Sequence, residues 1–250
     1  MAKTKKIIVA GQLVYEGIYP RGKSSDSPKA RAEKKKLSSA AQQRMNKLYS
    51  AQKLEFMLAA NFVRGDCVAV LTYDDDNLPL TRKEAEQRLK YFRSKLAKER
   101  KTEWDELVII WNTEGKHGEK RFHHHIVFNA VGNDLEALKR LWVYGDVQLE
   151  KLKIDKEKNY ASLAHYMCKE SREKPGLRSW SYSRNCKHPE VETFAVPDDT
   201  TIQAPKGSVI LEEHSESNQY GSYKTVKYIS SRIVKATKPK RKSKRRASFI

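Results

Sequence analysis

Arg121-Phe122-His123-His124-His125-Ile126-Val127-Phe128-Asn129 is the stretch on which the reading of this chain turns. Ile126, Val127 and Phe128 are apolar, β-branched or aromatic, so the local preference is strand. His123 and His125 then share one face and His124 takes the other. Two residues of strand advance about 6.6 Å, a separation from which two imidazoles can lean onto one metal ion. Leu107–Trp111 upstream reads as a second strand, with Glu114-Gly115-Lys116-His117-Gly118 as the turn of a hairpin. Glu114, at the end of that first strand, can then offer a carboxylate to the same ion. Histidines scattered on a solvated strand end are the competing reading of this segment taken alone.

Working outward, Val68–Tyr73 reads as a buried strand closed by the turn-prone Asp74-Asp75-Asp76-Asn77. Ser39–Phe62 reads as a helix with Ser39 as N-cap and Met45, Leu48, Leu54, Met57 and Leu58 at near-helical spacing. Thr81–Lys101 is amphipathic, with Ala85, Leu89, Phe92 and Leu96 facing in. Beyond the histidines come a helix at Leu135–Trp142, a half-buried strand at Asp146–Leu152, a helix at Tyr160–Glu170 capped by Asn159, and a strand at Ser179–Ser183. This order predicts an α+β fold, a central antiparallel sheet with helices flanking it on one side.

Lys and Arg exceed Asp and Glu by 19 charges over 250 residues, which points to a polyanionic partner, nucleic acid first. The excess concentrates in Lys29–Lys36 and Lys235–Arg246. Residues 1–38 are therefore expected to be a basic arm, 39–200 the catalytic domain with its N-terminal helix, 201–234 a β-like extension and 235–250 a basic disordered tail. Cys67, Cys168 and Cys186 lack paired spacing, which suits a reducing compartment rather than a disulfide framework. No apolar run reaches the length of a membrane span, so a cytoplasmic protein is expected. Gly17–Ser24 matches the phosphate-loop expression, but Ser25-Asp26-Ser27-Pro28 follows where a helix should open, which argues against a nucleotide hydrolase.

Histidine, any residue, histidine on a strand, then a helix carrying Tyr166-Met167-Cys168-Lys169, resembles the HUH endonucleases that initiate rolling-circle replication. Leu71-Thr72-Tyr73 resembles the end of their first motif strand, and Glu114 the carboxylate that joins their two histidines. Ser183–Pro189 resembles a segment of phage and bacterial-element replication proteins, the filamentous-phage gene II type included. The resemblance spans residues 62–190 and implies an RRM-like or ferredoxin-like sheet. His124 departs from the bulky apolar residue usual between the two histidines, and Ser162, four before Tyr166, implies a single-tyrosine enzyme.

The resemblance further implies metal ligands Glu114, His123 and His125, the nucleophile Tyr166, and Lys169 as its electrostatic partner. The expected cofactor is Mg²⁺ or Mn²⁺, because phosphate activation with open coordination positions suits hard ions. Expected partners are single-stranded origin DNA, a host helicase and a host polymerase. A basic DNA-binding regulator without catalysis, and a transposase or relaxase of the same fold, remain alternatives.

Overall fold

The histidine strand is the middle strand of its sheet. The computed structural model describes residues 3–20, 40–100, 107–116, 118–155, 159–169, 178–218, 221–233 and 235–236. It divides into two compact units, residues 26–188 and residues 1–25 with 189–250.

In the first unit, β3 (Cys67–Thr72), β4 (Ile109–Lys116), β5 (Lys120–Phe128), β6 (Val147–Lys151) and β7 (Ser181–Tyr182) form an antiparallel sheet in the order β6-β3-β5-β4-β7. Four helices accompany it: α1 (Ala40–Asn61), α2 (Arg82–Glu99), α3 (Asp134–Leu141) and α4 (Ala161–Met167). They cover both faces, not one. Ile126 and Phe128 pack with Leu89, Phe92, Leu138 and Trp142 of the α2/α3 side. Val127 and Ile110 pack with Leu54, Leu58, Ala164 and Met167 of the α1/α4 side. A strand buried on both faces reads as an unbroken apolar run, which is why Ile126-Val127-Phe128 does not reveal how many layers lie above it.

The helix ends follow local chemistry, with two departures from expectation. Thr81 caps α2, its hydroxyl accepting from Glu84 N at 3.2 Å, while the Glu84 carboxylate accepts from Leu80 N at 3.0 Å. Asn159 does not cap α4; Tyr160 stands at that position, and Asn159 takes the left-handed conformation (φ 52°). The turn facing Asp155 demands that conformation, and asparagine tolerates it better than most residues. In α1, Leu54, Met57 and Leu58 are buried, but Met45 and Leu48 are exposed, so only the second half of the helix joins the core. Ser39 lies outside the described residues.

The second unit corrects the expected N-terminal arm. β1 (Lys3–Ala10) and β2 (Leu13–Pro20) form a tight hairpin whose turn uses Gly11 at φ 60°. With β8 (Glu190–Val196), β9 (Val209–Asn218) and β10 (Gly221–Ile229) they make a second antiparallel sheet, ordered β8-β1-β2-β10-β9. Val9, Val14 and Ile18 are buried with Ile202, Val226 and Tyr228. Each segment is too short to show its partner locally; the core forms only when the two ends of the chain pair. Gly17–Pro20 of the phosphate-loop expression are strand, and the rest of that match lies outside the described residues, as do Lys29–Lys36 and most of Lys235–Arg246.

Among the described residues no helix is long and apolar enough to cross a membrane.

Candidate metal and tyrosine site

The β4/β5 register builds the site. Glu114 pairs with His123, Thr113 with His124 and Asn112 with His125. By the period of two along a strand, Asn112, Glu114, His123 and His125 share the face covered by α1 and α4, while Thr113 and His124 share the other. β4 runs past Glu114 to Lys116, so the turn is shorter and later than the residues Glu114–Gly118 suggested. An irregularity in the pairing sits between Glu114 and Lys116, where Gly115 has φ 115°. A Cβ there would come within 2.6 Å of Phe122 Cα, so the bulge beside Glu114 requires glycine.

Glu114 is almost completely buried, with a side-chain exposure of 1%. His123 Nε2 lies 3.4 Å from its Oε2 and His125 Nε2 lies 3.6 Å from its Oε1. One ligand atom from each of Glu114, His123 and His125 falls within 4.8 Å of the others. His123 Nδ1 is 3.1 Å from Arg121 O, which orients the ring so that Nε2 faces the carboxylate. His125 Nε2 is buried and has no hydrogen-bond partner. A buried orphan nitrogen turned towards a carboxylate and a second imidazole fits a metal ligand. The donor set, two imidazoles and one carboxylate, accepts Mg²⁺, Mn²⁺, Zn²⁺ or Fe²⁺. The group can therefore hold a metal ion.

Three further residues converge on Glu114. Lys120 Nζ is 3.3 Å and Lys169 Nζ 3.6 Å from Oε2, and Asn112 donates from Nδ2 to Oε1 at 3.1 Å. Burial pushes the carboxyl pKa up, but the imidazoles of His123 and His125 and the Asn112 amide outweigh it and hold Glu114 well below the usual carboxylate range. Lys120 and Asn112 were not singled out from the sequence. Asn112 was open to inference, since it stands two before Glu114 on the same strand face.

Tyr166, on α4, is 46% exposed and its ring meets that of His125 edge-on at 4.9 Å between centroids. Lys169 Nζ sits 3.8 Å from the Tyr166 ring centroid. α4 ends at Met167 with Cys168 as C-cap, so Lys169 reaches the tyrosine from beyond the helix and not from a continuing helix face. Tyr160 is buried, its hydroxyl donates to Phe62 O, and burial pushes its pKa up to about 12. Trp180 and Tyr182 pack against the α1/α4 core, and Trp180 Nε1 donates to Ser50 O at 3.2 Å.

On the opposite face His124 is fully buried. Its Nε2 lies 2.7 Å from the Tyr73 hydroxyl and its Nδ1 2.9 Å from the Thr113 hydroxyl. Burial pushes its pKa down to about 3, so the ring is neutral and both nitrogens are satisfied. The departure at His124 is thus a buried hydroxyl–imidazole–hydroxyl chain that ties β3, β4 and β5 together, with no part in the metal group.

Neither the curated proteins nor the solved structures contain a match to this chain. Residues 66–171, from the start of β3 past Lys169, match the family of replication-associated proteins of the ORF2 and gene II protein type, which supports a replication-initiator family for the segment that carries the site.

Proposed function

We propose that this chain is a rolling-circle replication initiator that nicks single-stranded origin DNA through Tyr166 and later rejoins it. The observation that carries the reading is the meeting of a half-exposed tyrosine, a lysine and a buried Glu–His–His group on one face of the sheet, with Tyr166 4.9 Å from His125. Glu114, His123 and His125 would hold the ion. A divalent cation bound there supplies charge neutralisation and orientation for a phosphodiester, work that Mg²⁺ or Mn²⁺ suits.

The chain's own residues do the rest. A phenol is a poor nucleophile at neutral pH, its ordinary pKa being about 10. The Lys169 ammonium, against the Tyr166 ring, favours the phenolate and the charge developing on phosphorus. The phenolic proton leaves to solvent, the Tyr166 oxygen bonds to phosphorus, and the bond from phosphorus to the 3′ oxygen breaks. That oxygen takes a proton, leaving a free 3′-hydroxyl and a 5′-phosphotyrosine. Because phenolate is the better leaving group, a later 3′-hydroxyl can attack the phosphotyrosine, reform the diester and release Tyr166 without ATP. The free 3′-hydroxyl primes a host polymerase, and strand separation falls to a host helicase.

Incubation of the full chain with a library of single-stranded stem-loop and phage-origin DNA plus Mn²⁺ tests this. A denaturant-resistant protein–DNA adduct is expected, and DNA retention without any adduct would instead favour a binding protein without catalysis.

A further inference from the structure

We infer that Asn112 is a positioning residue that couples the metal group to the helix carrying Tyr166. This rests on the reading of the Glu114 group as a metal site and deepens it. Asn112 is 2% exposed. Its Nδ2 donates to Glu114 Oε1 at 3.1 Å and to Met167 O, the last residue of α4, at 2.6 Å.

The carbonyls at the end of α4 explain why the second bond matters. Ala164 O and His165 O accept from Cys168 N, and Tyr166 O accepts from Lys169 N. Met167 O has no such backbone donor among these bonds, and a carbonyl buried at a helix end needs one. Asn112 supplies it from the sheet. One amide nitrogen therefore gives its two hydrogens to two different elements, one to the metal-group carboxylate of β4 and one to the helix that carries Tyr166.

The orientation of the amide is determinate. Turned over, its oxygen would face two acceptors, the Glu114 carboxylate and the Met167 carbonyl. In the orientation found, Oδ1 is buried without a hydrogen-bond partner. Burying an unpartnered carbonyl is unfavourable, so helix capping alone is a poor reason for asparagine here. Both donations together account for it. Any shift of Glu114 as it takes up a cation is passed through Nδ2 to the end of α4, one residue from Tyr166, and the register pairing of Asn112 with His125 places the same residue across from a second metal ligand.

The test uses the full chain and Asn112→Leu, which keeps the volume and removes both donations. Second-sphere loss weakens Mn²⁺ binding by about 10-fold. Adduct formation is expected to stay about 10²-fold slow at saturating Mn²⁺, because the remaining defect is the placement of Tyr166. Full recovery at saturating Mn²⁺ would confine Asn112 to metal affinity and overturn the coupling.

A second measurement is independent of DNA chemistry. In wild-type protein, titration with diamagnetic Mg²⁺ should move both the Asn112 side-chain amide signal and the Met167 carbonyl carbon signal. In Asn112→Leu the Met167 signal should no longer respond. A Met167 response equal in both proteins, or an Asn112 amide in the wild type that Mg²⁺ does not move, sinks the inference. Should the wild type bind Mg²⁺ yet form no adduct on any DNA, the nicking reading falls while this titration still decides the coupling. If the leucine variant does not fold, the wild-type amide decides alone: protected from exchange and Mg²⁺-responsive supports the coupling, and rapid exchange ends it.

Discussion

Lys169 Nζ lies 3.8 Å from the centre of the Tyr166 ring, and the same ammonium lies 3.6 Å from Glu114 Oε2. It joins the tyrosine to the carboxylate by charge, where His125 joins them by ring packing. Lys169→Met should slow adduct formation by about 10²-fold, the effect of removing one donor aimed at developing charge. Because the side chain is 41% exposed and lies beyond α4, thermal stability should hardly change. Single-turnover cleavage and a melting curve check the pair of outcomes; equal rates in both proteins would take Lys169 out of the site.

Tyr166 and Tyr160 lie on one short segment but in opposite environments. Tyr166→Phe should abolish the adduct and leave DNA binding and metal affinity nearly intact, since only the attacking oxygen is lost. Tyr160→Phe loses the bond to Phe62 O, which should cost about 1 kcal/mol of stability and leave cleavage close to wild type. Peptide mapping of the adduct after nuclease digestion decides; a nucleotide on Tyr160, Tyr182 or a serine moves the active helix elsewhere.

His123→Ala should weaken metal binding, and its cleavage defect should ease as Mn²⁺ rises, whereas no Mn²⁺ concentration should restore Tyr166→Phe. Chelator treatment of the wild type should abolish the adduct, and Mg²⁺ or Mn²⁺ should restore it. Restoration by Zn²⁺ alone would reverse the expected metal preference, which rests on the function of hard ions and not on ligand softness.

His124→Leu tests whether the central histidine is structural. The substitution strands the Tyr73 and Thr113 hydroxyls in the core, which should destabilise the unit by about 1–3 kcal/mol. Its side chain faces away from the Glu114 group, so Mn²⁺ affinity should stay near wild type. Denaturant unfolding and calorimetric titration separate the two; a large loss of Mn²⁺ affinity in a folded variant would place His124 in the site.

Deleting Lys235–Arg246 should weaken single-stranded DNA binding without regard to sequence. It should also flatten the salt dependence, by roughly 0.7 in log–log slope for each phosphate no longer neutralised. An unchanged slope would leave the segment without a role in binding.

The local sequence determined the elements and one face of the site. Alternation along Phe122–Phe128 makes a strand and sends His123 and His125 to one side, because side-chain direction in a strand depends only on parity. The spacing of Ala85, Leu89, Phe92 and Leu96 likewise determines which side of α2 is buried. Tertiary structure decided everything that depends on a partner distant in sequence. The layer count around β5, the pairing of Lys3–Pro20 with strands near the other end of the chain, and the arrival of Lys120 and Asn112 at Glu114 all arise from pairings and packing that no local period encodes. His124 shows the limit most plainly: from its neighbours it is an anomaly in a metal motif, and only the hydroxyls of Thr113 and Tyr73, brought in by two other strands, make it a satisfied core residue.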